Sequence, residues 1–118
     1  MIVIYGDNME LHEKKCIPCE GNTPPLNKEK IDSLMPEINS DWEVLNYHHL
    51  KREFQFDDFQ KALDFINHVG AICEKTGHHA NFEFGWGFAK ILIWTHKIDG
   101  LTESDFILAS IIDQSIMG

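Results

Sequence analysis

Cysteine is scarce, basic residues are outnumbered and no long apolar run exists; each shortage removes a class of protein. The chain has 3 cysteines in 118 residues, an odd number that cannot close the disulfide framework of a small secreted domain. A reducing cytoplasm is therefore the expected compartment. Cys16 and Cys19 form the single C-x-x-C pair. A structural zinc needs four ligands and no second such pair is present, so His12 and Cys73 would have to complete a site by coincidence of folding. A redox role is disfavoured as well, because no βαβ unit surrounds the pair.

Lys and Arg number 10 against 19 Asp and Glu, a formal net charge of −9. Such a field repels nucleic acid and acidic membrane surfaces. Nothing offsets it locally, since Lys14-Lys15 and Lys51-Arg52 are only pairs. No segment approaches the length of a bilayer span, and Met1–Tyr5 is too short for a signal core. Met9 offers a second candidate start. The phosphate-loop, dinucleotide, nucleophile-elbow and H-E-x-x-H patterns are all missing.

What remains is a chain 43% hydrophobic and 25% charged, enough for one folded domain with one core. Residues 1–26 read as an irregular N-terminal segment, punctuated by Gly6, Gly21 and Pro24-Pro25, and residues 27–118 as a single domain. A short helix is expected from an Asn27 cap to Met35. A hairpin follows, from Trp42–Asn46 through a turn near Tyr47-His48, with Leu50, Arg52, Phe54 and Phe56 on one side. Asp57-Asp58 opens the strongest helix, with Phe59, Ala62, Leu63, Ile66, Val69, Gly70 and Cys73 as its core stripe and Gly77 as its stop. The second hairpin is expected as Phe82–Trp86 and Ala89–Thr95 around a Gly87-Phe88 turn of type II′. Its second strand is apolar on both faces and asks for a cover, such as another subunit.

The last helix starts at a Thr102 cap, with Asp105 at the third position and Leu101 and Phe106 as a hydrophobic staple. Its stripe of Leu108, Ala109, Ile112 and Ile116 is widened by Ile107 and Ile111, again suggesting an interface. The expected order is α-β-β-α-β-β-α. That is an α+β domain with a four-stranded antiparallel sheet and helices on one face.

Candidate chemistry centres on histidine, which titrates near neutral pH. His78-His79 follows a helix end, where capping is the simpler explanation of a bare pair. His48-His49 sits at a turn, where solvent exposure explains it. His96 closes a strand. Together, however, Glu74-Lys75-Thr76-Gly77-His78-His79, then Trp86, then Trp94-Thr95-His96 and Asp105 form a spaced pattern. From about Trp42 to Asp113 the chain resembles the pterin-4a-carbinolamine dehydratase (4a-hydroxytetrahydrobiopterin dehydratase) family. The Phe54-x-Phe56-x-x-Phe59 run and the Gly100-Leu101-Thr102 turn are part of the likeness, and Cys16-x-x-Cys19 is similar to the leader of bacterial members. One departure is Ala80, where the family usually has Pro directly after His-His.

The resemblance implies a hydro-lyase that dehydrates 4a-hydroxytetrahydrobiopterin to quinonoid dihydropterin and water, in tetrahydrobiopterin recycling. It implies His78 and His96 as acid and base, His79 as the group that binds and orients substrate, and Glu74, Thr95 and Trp42 as substrate-binding residues. Asp105 matches the family's late Asp, although its capping position explains it equally. No metal or organic cofactor is implied, the pterin being the substrate. The implied partners are a second copy, as homodimer or homotetramer, and a functional link to an aromatic amino acid hydroxylase. The alternative is an oligomeric protein-interaction or assembly module that uses the same fold without catalysis.

Overall fold

A computed structural model describes residues 10–17 and 23–117. Strands β1 (Glu43–Leu45), β2 (His49–Gln55), β3 (Asn81–Gly85) and β4 (Phe88–Ile93) form one antiparallel sheet in the order β1-β2-β4-β3. Helices α1 (Lys28–Leu34), α2 (Phe59–Thr76) and α3 (Glu103–Met117) complete the expected α-β-β-α-β-β-α sequence. The α+β reading holds.

Local signals account for most boundaries. Asn27 accepts a hydrogen bond from the Lys30 amide and starts α1, and Asp58 does the same for α2 through the Lys61 amide. Gly77 closes α2 at φ 73°, a left-handed conformation that glycine adopts without steric cost. The first hairpin turns at residues 46–48, with Asn46 and Tyr47 at positive φ.

Two expectations need correction. The second hairpin turns at Trp86-Gly87, not Gly87-Phe88, because Gly85 pairs with Phe88. Gly87 is at φ 84° and supplies the left-handed residue at the second loop position rather than the first. Trp86 consequently leaves the strand and stands 73% exposed at the tip. The face of α2 is also rotated from the expected stripe. Phe65 and Ile72 pack on the core with Ala62, Val69 and Cys73, whereas Phe59 is 44% exposed. The rotation follows the sheet: Phe65 lies 4.5 Å from the Phe54 ring and 5.2 Å from Phe56, centroid to centroid.

Helix α3 is buried around most of its circumference, with Phe106, Ile107, Leu108, Ala109, Ser110, Ile112 and Asp113 all buried. The width of its stripe does not need a second subunit for explanation. The N-terminal segment covers it: a 3-10 turn at Leu11–Glu13 packs on α3, and buried Leu11 joins the same core as Ile107. Part of the segment read as irregular is thus an integral layer of the domain.

Near its C-terminal end, α3 is tied to the sheet by a buried ion pair. Arg52 projects from β2 into the core side and donates to Asp113 at 2.7 Å, both side chains about a tenth exposed. Trp42 donates its indole N–H to the same carboxylate at 2.8 Å, and the Asn39 amide donates at 2.9 Å. Exposed Asp41 flanks Arg52 at 3.6 Å. Removing one partner strands a desolvated charge, so Asp113→Ala is expected to lower the unfolding free energy by about 3 kcal/mol, against below about 1 kcal/mol for an exposed pair. Urea denaturation measures this, and adding Arg52→Met should recover part of the loss.

Candidate functional site

The turn after α2, the end of β4 and the N-terminal segment enclose a cleft of about 380 Å³. Its walls are Thr76, Gly77, His78 and His79 on one side and Trp94, Thr95, His96 and Lys97 on the other. Cys16 and Ile17 of the N-terminal segment close the third side. This size is within the range of small-molecule sites.

The site is organised by Asp105, which is fully buried at the first turn of α3. Its Oδ2 accepts the Thr102 amide at 2.7 Å and the Thr95 hydroxyl at 2.9 Å. Its Oδ1 meets His78 Nε2 at 2.6 Å. The expected capping box is therefore half realised: Asp105 reaches back to the cap amide, while the Thr102 hydroxyl turns to Thr95 at 3.0 Å. With Asp105 accepting from Nε2–H, the neutral His78 ring keeps Nδ1 as its basic atom.

The two histidines of the pair differ. His78 is 15% exposed and held by a buried carboxylate; His79 is 59% exposed and paired with the exposed Glu74. Thr76 Oγ1 donates to the Cys73 carbonyl at 3.2 Å and contacts the His78 amide at 3.4 Å, which ties the turn to the end of α2.

His96 stacks on Trp94 with centroids 4.3 Å apart and planes 5° from parallel. The other rings around Trp94 are His48 at 5.6 Å and His49 at 5.7 Å. His48 also meets Asp99, in the turn that carries His96, at 2.7 Å. Simple solvent exposure does not describe the His48-His49 pair; both rings are half-buried and pack around Trp94. Burial, with His48 and Lys51 close by, pushes the pKa of His49 down. Sequence reasoning missed this cluster because its members lie on different strands.

Of the expected site residues, His78, His79, His96 and Thr95 line the cleft, and Glu74 stands behind His79. Trp42 does not line it. At 2% exposure it is a core residue held by Asp113, and Trp86 is likewise outside the lining. No group of three or more His, Cys, Asp or Glu suited to a metal occurs among the described residues. Cys19 lies outside the described residues, so the C-x-x-C pair is seen only through Cys16. No helix among the described residues is long and apolar enough to cross a membrane.

Comparison with known proteins adds findings of three kinds. The family pattern described as Pterin 4 alpha carbinolamine dehydratase matches residues 24–115. Relatives carrying the pterin-4-alpha-carbinolamine dehydratase name include one from Rickettsia canadensis, 52% identical and covering 90% of this chain and 97% of its own length. Another, from Rubrobacter xylanophilus, is 50% identical over 89% of this chain and 97% of its own. Among solved structures, a Brucella melitensis protein titled a transcriptional coactivator/pterin dehydratase matches with TM-score 0.69 at 23% identity, covering 80% of this chain and 99% of its own. A pterin dehydratase-like protein identified as a RuBisCO assembly factor matches with TM-score 0.53 at 22% identity, over 63% of this chain and 87% of its own. At these identities the two structures bear on the fold.

Cys16, which lines the cleft, is held as a thiol. Burial, reinforced by the Asp105 carboxylate, pushes its pKa to about 11, and its Sγ donates to the Ser104 carbonyl at 3.7 Å. Its alkylation by iodoacetamide should therefore keep rising with pH through pH 10. Peptide-resolved mass spectrometry separates it from Cys19. A rate that levels off near pH 8.5, the range of a free thiol, would contradict this environment.

Proposed function

Because the chain belongs to the pterin-4a-carbinolamine dehydratase family, a family of hydro-lyases, we propose that the histidine cleft dehydrates a 4a-hydroxytetrahydropterin. The observation that carries this reading is that His78 and His96 face one cleft from two different elements, with His78 anchored on a buried carboxylate. An elimination of water needs two proton-transfer groups placed on either side of a small substrate, and imidazoles suit both tasks near neutral pH.

In the proposed reaction the base takes the proton from N5, the N5=C4a bond forms, and the C4a–O bond breaks as the acid protonates the leaving hydroxyl. The products are quinonoid dihydropterin and water. His78 and His96 divide the acid and base roles. The Asp105 contact fixes the His78 tautomer and ring direction, so Nδ1 is the atom available for proton transfer. His96, kept flat against Trp94, presents a ring with its orientation restricted by stacking.

His79 binds and orients the substrate, steadied by Glu74. Thr95 shapes the floor, with its hydroxyl committed to Asp105. The pterin is the substrate, and the reaction as written balances without a metal or organic cofactor. The product suits an aromatic amino acid hydroxylase cycle that releases the carbinolamine, and assembly as a homodimer or homotetramer accompanies this reading.

The test follows the decay of freshly generated 4a-carbinolamine with and without protein. The wild type should accelerate it, and His78→Ala or His96→Ala should each lose about a hundredfold or more of the catalysed rate, the scale of general acid–base catalysis. His79→Ala should act mainly on KM. Identical decay with and without the wild type would sink the assignment.

A further inference from the structure

Beside the histidine cleft lies a second groove of about 640 Å³, set between the N-terminal segment, α2 and α3. Cys16 and Thr76 line both spaces, so the two adjoin along that wall. The floor is apolar, formed by Ile72 of α2 and Ile111 of α3. The rim is cationic: Lys14 and Lys15 rise on one side and Lys75 on the other, with His12 and His68 beside them.

No Asp or Glu is among the residues lining the groove, although the chain carries 19 of them against 10 Lys and Arg. Three of those ten cations meet here. Some are already answered. Lys14 is paired with Glu103 at 3.1 Å, His12 sits 3.4 Å from Glu10, and His68 is hydrogen-bonded to Ser115 at 3.0 Å. Lys15 and Lys75 are exposed and have no ion-pair partner among the described residues. The field of the whole molecule repels anions, so this groove is a local exception to it.

Resting on the dehydratase reading, we propose that the groove receives the anionic end of a pterin side chain while the ring occupies the histidine cleft. The substrate class is then a 4a-hydroxypterin whose C6 substituent ends in carboxylate or phosphate. C6 is bonded to N5, the atom that loses its proton, so its substituent leaves the ring next to the reacting centre. A substituent crossing the Cys16–Thr76 wall meets apolar Ile72 and Ile111 along its stem and the ammonium groups of Lys15 and Lys75 at its end. A neutral, short substituent would leave those two cations unused.

The experiment measures equilibrium binding by quenching of pterin fluorescence, using fully oxidised pterins with a neutral dihydroxyalkyl, a carboxylate-terminated or a phosphate-terminated C6 substituent. Two partly solvated ion pairs predict about fivefold tighter binding of the anionic pterins at low ionic strength. That preference should shrink as salt is raised. It should fall to near unity in the Lys15→Gln/Lys75→Gln double variant, with affinity for the neutral pterin unchanged.

Equal affinity for the three pterins, or a preference that survives the double variant, overturns the proposal. Inorganic phosphate serves as the free-anion control; if it binds the groove without weakening the anionic pterins, the anion is not the side chain's. A change in sedimentation of the double variant would mark the groove as a subunit contact and overturn it too. Turnover is read separately: failure to accelerate carbinolamine decay counts against the dehydratase reading alone, since the binding preference does not depend on catalysis.

Discussion

A carboxylate buried without partners costs several kcal/mol, and Asp105 is buried completely. The chain must therefore bring donors to it, and each donor comes from a different part of the fold. The Thr102 amide belongs to the start of α3, the Thr95 hydroxyl to the end of β4, and the His78 imidazole to the turn after α2. Satisfying one side chain fixes the relative position of three segments. The cleft lies between two of them, the turn after α2 and the end of β4. His78 is thus placed by the same requirement that starts a helix, and its anchor cannot loosen without exposing an unmet charge.

Asp113 makes a similar arrangement two turns further along α3. Arg52, Trp42 and the Asn39 amide converge on it, which locks the sheet and the segment before β1 against the helix. With both ends fixed by carboxylates, the apolar middle of α3 is free to be buried around most of its circumference. The N-terminal segment supplies the last cover. Ser104 accepts the Ile17 amide at 3.0 Å and donates back to its carbonyl at 3.2 Å, so the segment that covers the helix also walls the cleft. Packing and site formation share the same strap.

Features written in contiguous residues were legible in the sequence. The Asn27, Asp58 and Gly77 boundaries, the alternation of β2 and the Thr102–Asp105 start depend on neighbours three or four positions apart. The set His78, His79 and His96 was reached through a spaced pattern rather than through any local rule, and three of its members do line one cleft. What depends on long-range packing was not legible. The docking of residues 10–17 joins positions almost 90 apart, as Ile17 and Ser104 show. The face of α2 was ambiguous because Phe59 and Phe65 are both apolar; the phenylalanines of β2 decide it. Trp42 could not be placed without Asp113, and the His48-His49 pair could not be read without Trp94 beside it.

Ala80, standing where proline is usual in the resembling family, bears on how the histidine pair is held. Proline would restrict the backbone of His79 and its own φ. Alanine does not, and the constraint falls instead on side-chain bonds. These are unequal. The His78–Asp105 contact lies in low dielectric and is shielded from salt, whereas the His79–Glu74 pair is open to water and screened. The pair is therefore one fixed ring followed by one adjustable ring. Under the proposed assignment that asymmetry is useful: proton transfer requires a ring with a defined tautomer and direction, while a group that orients the substrate can adapt to it. The loss of proline is confined to the member whose role tolerates movement.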